Sequence, residues 1–184
     1  MSELLLSPEV IETERLRLRG LRPSDAALLT LYASDARVAK TTTDIPHPFP
    51  PGYAEAYVER VTRPGSRDLA WAIDTGAADE GNGLIGRISL RVLDDGRAEL
   101  AYWIAPAFWG AGYATEAVRA VTAYADARGI GALVAQVLQD NERAARALTR
   151  AGFVYLGEGE IYSVGRAAMV PTFRYRREAG STTR

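Results

Sequence analysis

The chain has no cysteine. That absence excludes disulfides, cysteine-based zinc sites and a thiol nucleophile, and it suits a reducing compartment. Histidine is almost as scarce: His47 stands alone between Pro46 and Pro48, so no histidine metal pair is available and no metal site is expected. A charge excess is also missing, since 22 Lys and Arg oppose 23 Asp and Glu for a formal net charge of -1. Such balance gives no general attraction to nucleic acid or to an anionic membrane. No stretch approaches the roughly 18 apolar residues of a spanning helix, and the opening MSELLLSPEV has neither the basic region nor the long apolar core of a signal peptide. A cytoplasmic protein without membrane or nucleic-acid partners is the expectation.

What is present suffices for a sizeable core. The 184 residues are 47% apolar, with no repeat, low-complexity block or interdomain linker. One domain over residues 1–184 is expected, with its core at about 11–177 and a polar, disordered tail at 178–184.

Residues 13–20, TERLRLRG, alternate leucine with arginine, the pattern of a strand with its arginines on the solvated face. Pro23, Ser24 and Asp25 open a short helix through Tyr32. Residues 40–52, KTTTDIPHPFPPG, hold four prolines and a glycine, which predicts a surface loop before helical spacing resumes at 53–61. Three strands follow at 69–74, 84–93 and 97–104, separated by turn residues as in an antiparallel meander. The third strand puts Glu99, Ala101 and Trp103 on one face and Leu100, Tyr102 and Ile104 on the other. A helix at 115–128 ends at Gly129, a strand occupies 132–138, and Asp140 and Asn141 cap a helix that stops at Gly152. Strands at 153–156 and 172–176 complete an α+β pattern with a mixed sheet.

Residues 100–116, LAYWIAPAFWGAGYATE, carry the chemical signal. A strand, a glycine turn and a helix start form an anion site, because helix-start N–H groups lack internal partners and glycine admits a phosphate close to the backbone. A literal G-x-G-x-x-G lies elsewhere, at residues 81–86, but a β-rich segment rather than a helix follows it. A hairpin turn on Asn82 and Gly83 explains that string better than a dinucleotide fingerprint does. The turn at 109–115 has the right context but neither the third glycine of a Rossmann turn nor the Gly-Lys-Ser/Thr of a P-loop. Its glycines could equally serve the strand-to-helix connection alone.

Three stretches in order, TERLRLRGLRPSD, YWIAPAFWGAGYATEA and DNERAARALTRAGF, resemble the GNAT acetyltransferase superfamily, in particular its Rim-type branch of ribosomal-protein alanine N-acetyltransferases. The resemblance implies a GNAT fold, with a mixed, mostly antiparallel sheet flanked by helices and a splayed strand pair that holds acetyl-CoA. It implies that Tyr102, Ile104 and Ala105 offer backbone to pantetheine. By the same likeness Trp109, Gly110, Ala111, Gly112, Tyr113, Ala114 and Thr115 supply N–H groups to the pyrophosphate. Asn141 matches a family asparagine that reaches the cofactor, although an N-cap explains it equally. Glu99 matches a glutamate that acts as general base, directly or through water; a solvated strand carboxylate is the plainer alternative.

The family pattern is incomplete here. Its usual proton donors to the departing thiolate fall at Leu148 and Ala144, and Ala107 replaces the polar residue that often starts the phosphate turn. A thiolate with a pKa of about 8.5 leaves with little help, so catalysis survives that loss. Arg143, Arg146 and Arg150 follow Asn141 and could meet the CoA 3′-phosphate or simply face solvent. The implied reaction is acetyl transfer to a primary amine, either a protein N-terminus or a small molecule, by a monomer or homodimer. Residues 40–52 and 158–169 are expected to shape the acceptor choice. A non-catalytic acyl-CoA-binding module is the alternative.

Overall fold

A computed structural model of the chain describes residues 7–76 and 83–180. Gly81 and Asn82, the start of the G-x-G-x-x-G string, and the end of the tail lie outside the described residues. Eight strands form one sheet in the order β1-β2-β3-β4-β5-β6-β8-β7. They are β1 (Ile11–Glu12), β2 (Arg17–Gly20), β3 (Asp68–Asp74), β4 (Leu84–Val92), β5 (Ala98–Ile104), β6 (Leu133–Leu138), β7 (Val154–Ser163) and β8 (Ala168–Arg177). Five helices cover the sheet: α1 (Ala26–Ala33), α2 (Ala36–Thr41), α3 (Tyr53–Thr62), α4 (Tyr113–Ala127) and α5 (Glu142–Arg150).

The meander β3-β4-β5 is antiparallel, as its turn residues predict, and β5-β6 is the parallel pair in the sheet. Alternation along β5 sends Leu100 and Ile104 into a core with Val118 and Val121 of α4 and Leu148 of α5. Trp103 goes to the opposite face, into a second core with Leu29 of α1, Val38 of α2 and Val58 of α3. The sheet is therefore sandwiched between two helical layers, and residues on both faces of β3 and most of β4 are buried whichever way they point.

That double cover overturns the solvated-face reading of the first arginines. Arg19 is only 3% exposed. Its guanidinium holds Asp25 at 2.9 Å and Asp74 at 3.1 Å, so Asp25 serves a buried ion pair instead of simply opening a helix. Arg17 does stay in water, beside Glu12. The expected continuous strand over 13–20 is broken, because the Thr13 N–H donates to the Leu16 carbonyl (2.9 Å) in a tight turn between β1 and β2. Two further boundaries differ. Helix α2 covers Lys40 and Thr41, where a loop was expected, and residues 158–169 form strands of the β7-β8 hairpin on either side of a short turn.

Candidate functional site

The parallel ladder between β5 and β6 stops after two residue pairs, Ala98 with Leu133 and Glu99 with Val134. Beyond them the strands diverge, leaving a V whose open end meets the turn before α4. The Ala98 N–H donates to the Ala132 carbonyl on the β6 side, whereas the Ala105 N–H donates to the Ile85 carbonyl on the β4 side (2.7 Å). Strand alternation then directs the backbone groups of Leu100, Tyr102 and Ile104 into the V and those of Ala101 and Trp103 onto β4. Tyr102 and Ile104 are thus available as expected. Ala105 is not: its N–H is spent on β4 and the residue is 1% exposed. The Ile104 carbonyl is already taken by the Trp109 indole N–H at 2.7 Å.

The V opens into a cleft of about 360 Å³. Tyr102, Ile104, Trp109, Gly110, Gly112, Tyr113, Ala114 and Thr115 line it together with Asn141 across the gap. Gly110 and Gly112 have φ of 82° and 83°, a left-handed geometry that side chains resist, and a Cβ on Gly110 would meet nothing within 4 Å. Gly112 ends the turn and α4 starts at Tyr113, so the first N–H groups of a 15-residue helix begin at the cleft wall. Ala111, by contrast, does not line the cleft, and its carbonyl accepts from the Arg15 guanidinium at 2.8 Å.

Arg15 was not singled out by its strand pattern. Its backbone N–H and Nε both donate to Glu116, at 2.8 and 2.7 Å, and its guanidinium lies 4.7 Å from the Tyr113 ring centroid. Thr13 adds a 2.6 Å hydroxyl bond to the same carboxylate. Burial works against the Glu116 charge, but Thr13 and Arg15 outweigh it and hold its pKa below the usual glutamate value. The first turn of the chain therefore braces the glycine turn. No spacing rule links residues about a hundred positions apart.

On the opposite wall, Asn141 is both an N-cap and a tie. Its Oδ1 accepts from the Ala144 N–H (3.2 Å) and its Nδ2 donates to the Thr41 carbonyl (3.1 Å). Tyr102 crosses the V and donates its hydroxyl to the Ala144 carbonyl at 3.2 Å; burial pushes that phenol well above the ordinary tyrosine value. Leu148 is fully buried in the core. Arg143, Arg146 and Arg150 all reach the cleft, Arg143 stacking 3.8 Å from the Trp109 ring centroid.

Glu99 does not line this cleft. It sits at the closed end of the V, opposite Arg91 in the β4-β5 register and on the Trp103 face. Asp44, which composition gave no reason to notice, lines the cleft and also a second cavity of about 240 Å³ on the α1–α3 face. Its carboxylate pairs with the buried Arg87 guanidinium, which also donates from Nη1 to the Tyr57 phenol oxygen at 2.8 Å. Burial disfavours the Arg87 charge, and the carboxylate of Asp44 with the Tyr57 oxygen more than restores it, so Arg87 is held firmly protonated.

The two segments expected to shape the acceptor are in contact. The Val164 N–H donates to the Thr43 carbonyl (3.0 Å), and a Cβ on Gly165 would fall 2.6 Å from the carbonyls of both Ala39 and Ile45. Residues 42–45 are therefore pinned to the β7-β8 turn, and Ile45 is buried.

Known proteins share this architecture. A model of the acetyltransferase (GNAT) domain matches residues 15–154. The uncharacterized N-acetyltransferase YoaA of Bacillus subtilis is 29% identical over 154 residues, covering 78% of this chain and 82% of the relative. The structure of RimL, a ribosomal L7/L12 α-N-protein acetyltransferase in complex with coenzyme A, superimposes with a TM-score of 0.80 at 17% identity, covering 95% of this chain and 100% of that one. Spermidine N-acetyltransferase from Vibrio cholerae, solved with CoA and spermine, gives 0.74 at 18% identity, covering 91% and 97%. At such identities the structural likeness is one of fold.

Proposed function

The chain belongs to the acetyltransferase (GNAT) domain family, and from that premise we propose that it transfers an acetyl group from acetyl-CoA to a primary amine by direct attack, without a covalent enzyme intermediate. The observation that carries this reading is the interrupted β5-β6 ladder, which frees the Tyr102 backbone and the Ile104 N–H and leads into the glycine turn. Pantetheine would run along that free strand edge as a third partner in the ladder, and the pyrophosphate would take the N–H groups from Gly110 to Thr115. The adenosine 3′-phosphate would meet the arginine stripe Arg143, Arg146 and Arg150, and Asn141 would line the passage between them. One residue fewer than expected serves on the strand, since Ala105 has no N–H to give.

The amine would approach from the other face of the sheet, through the second cavity, which shares Asp44 and Trp103 with the cleft. Asp44 would hold its nitrogen beside the thioester. Glu99 lies two strand residues from Ala101, roughly 6.6 Å along β5, so as a base it would act through water. Backbone N–H groups of the V would polarise the thioester carbonyl. The acceptor is a protein N-terminus or a small amine, a choice the family premise leaves open. The whole described chain would act as one domain.

Two measurements test the proposal. CoA at about 100 times its dissociation constant should add roughly 2.7 kcal/mol to unfolding stability, and acetyl-CoA with an amine panel should release thiol. No thermal shift with CoA sinks the reading. A non-catalytic acyl-CoA module, which Leu148 and Ala144 favour, predicts tight CoA binding with no amine raising thiol release.

A further inference from the structure

The cavity on the α1–α3 face has a chemistry of its own. At about 240 Å³ it holds roughly eight waters at about 30 Å³ each, the room of one amino-acid-sized body. Phe49 and Tyr53 meet edge to face at 5.2 Å in its wall, which Trp103 also lines. The Trp103 indole N–H is buried and has no hydrogen-bond partner among the described residues, a cost that a ligand acceptor atom would relieve. Among the described lining residues Asp44 is the one carboxylate, and it stands at the junction with the cleft. The other end is formed by Arg60 and Arg91, whose side chains are 50% and 56% exposed.

Those two arginines share a single carboxylate, Asp68. Arg60 spends Nη1 on it and lies 5.2 Å from the Tyr57 ring centroid, and Arg91 spends Nε, so among the described residues the other N–H groups of both guanidinium forks have no hydrogen-bond partner. Asp68 and the facing Glu99 balance much of their charge, which leaves spare donors in fork geometry as the feature a ligand would read. A polycation brings further donors and positive charge to a mouth whose spare groups are donors, and the carboxylates there, Asp68 and Glu99, already face arginines.

We infer that this cavity selects a primary amine carrying a carboxylate at the end away from its nitrogen, with an apolar or aromatic body between, over uncharged amines and polyamines. The amine sits at Asp44, the body between Phe49 and Trp103, and the carboxylate on Arg60 and Arg91. The inference rests on the acyl-transfer reading above.

The test titrates 4-(aminomethyl)benzoate, benzylamine and spermidine into the protein by calorimetry, with and without CoA, and then follows each as an acceptor by thiol release. The benzoate should bind about tenfold more tightly than benzylamine, with spermidine weakest. The R60Q/R91Q double variant should shrink that advantage to about twofold, and R91K should keep part of it. Equal or tighter binding of benzylamine or spermidine overturns the inference, and so does an advantage that survives the double variant. CoA is titrated separately into each protein, so a failure to bind CoA identifies collapse of the acyl-transfer reading, whereas CoA binding with the wrong amine preference defeats only this inference. Amidated tripeptides ending in aspartate or lysine distinguish a peptide chain from a small molecule as the source of the carboxylate.

Discussion

The two faces of the splayed strand pair are built by different means. On the α4–α5 face the candidate ligand groups are mainly backbone, freed strand N–H groups, a glycine turn and a helix start within residues 100–116, with the side chains of Asn141 and the α5 arginines at the far wall. On the α1–α3 face they are side chains, Asp44, Arg87, Arg60 and Arg91, gathered from a loop, a helix and a strand and held by ion pairs. Backbone groups bind whatever the side-chain identities are, so the first face suits a ligand common to a family. Side-chain pairs change with one substitution, so the second suits the acceptor, where relatives differ.

Five perturbations would break or sharpen that contrast. The largest is Arg19→Met, which leaves Asp25 and Asp74 buried without their shared cation and should cost about 3–5 kcal/mol in denaturant unfolding. An unchanged midpoint would mean the α1–α3 layer does not depend on its ion pairs. Gly112→Val comes next: forcing a branched side chain into a left-handed φ costs about 1–2 kcal/mol, so CoA affinity should fall roughly tenfold or more while the fold holds. Should affinity stay level, the turn is not the phosphate site.

Asp44→Asn should raise the acceptor KM about tenfold, the weight of one charge-assisted bond, and leave CoA affinity within about twofold. Glu99→Gln should lower kcat by less than about threefold, because a base acting through water is replaced by water more easily than a direct one. A reversed ranking of these two variants would return the proton to Glu99 as a direct base. The smallest effect is a pH dependence of the brace. Glu116 has a depressed pKa in the folded protein, so its contribution is present above the unfolded value of about 4.3 and is lost as pH falls through the lower folded value. CoA affinity should therefore weaken in the wild type only as pH falls through that lower folded value, and do so less in Glu116→Gln.

Much of the frame was legible because periodicity reports burial. The β5 alternation, the meander, the stripe of α4 and the Asn141 cap all stand where their patterns put them. Misreadings fell where a second layer intervened. Alternating arginines signal a wet face only if nothing covers it, and α1 with its preceding turn covers Arg19. Residues 40–52 read as surface loop from their prolines, yet Ile45 is buried because the β7-β8 turn packs over it. Ala105 looked equivalent to Tyr102 and Ile104, and only the direction of its N–H separated it.

By itself the sequence determined the class of fold, the glycine turn at the start of α4 and the strand entering it, since all of these are local and rest on backbone conformation. Tertiary structure decided that Arg15 braces that turn, that Glu99 stands outside the cleft and that Asp44 joins two cavities. Each of those depends on which distant side chains the sheet order brings together, and pairing across tens of residues leaves no mark in local spacing.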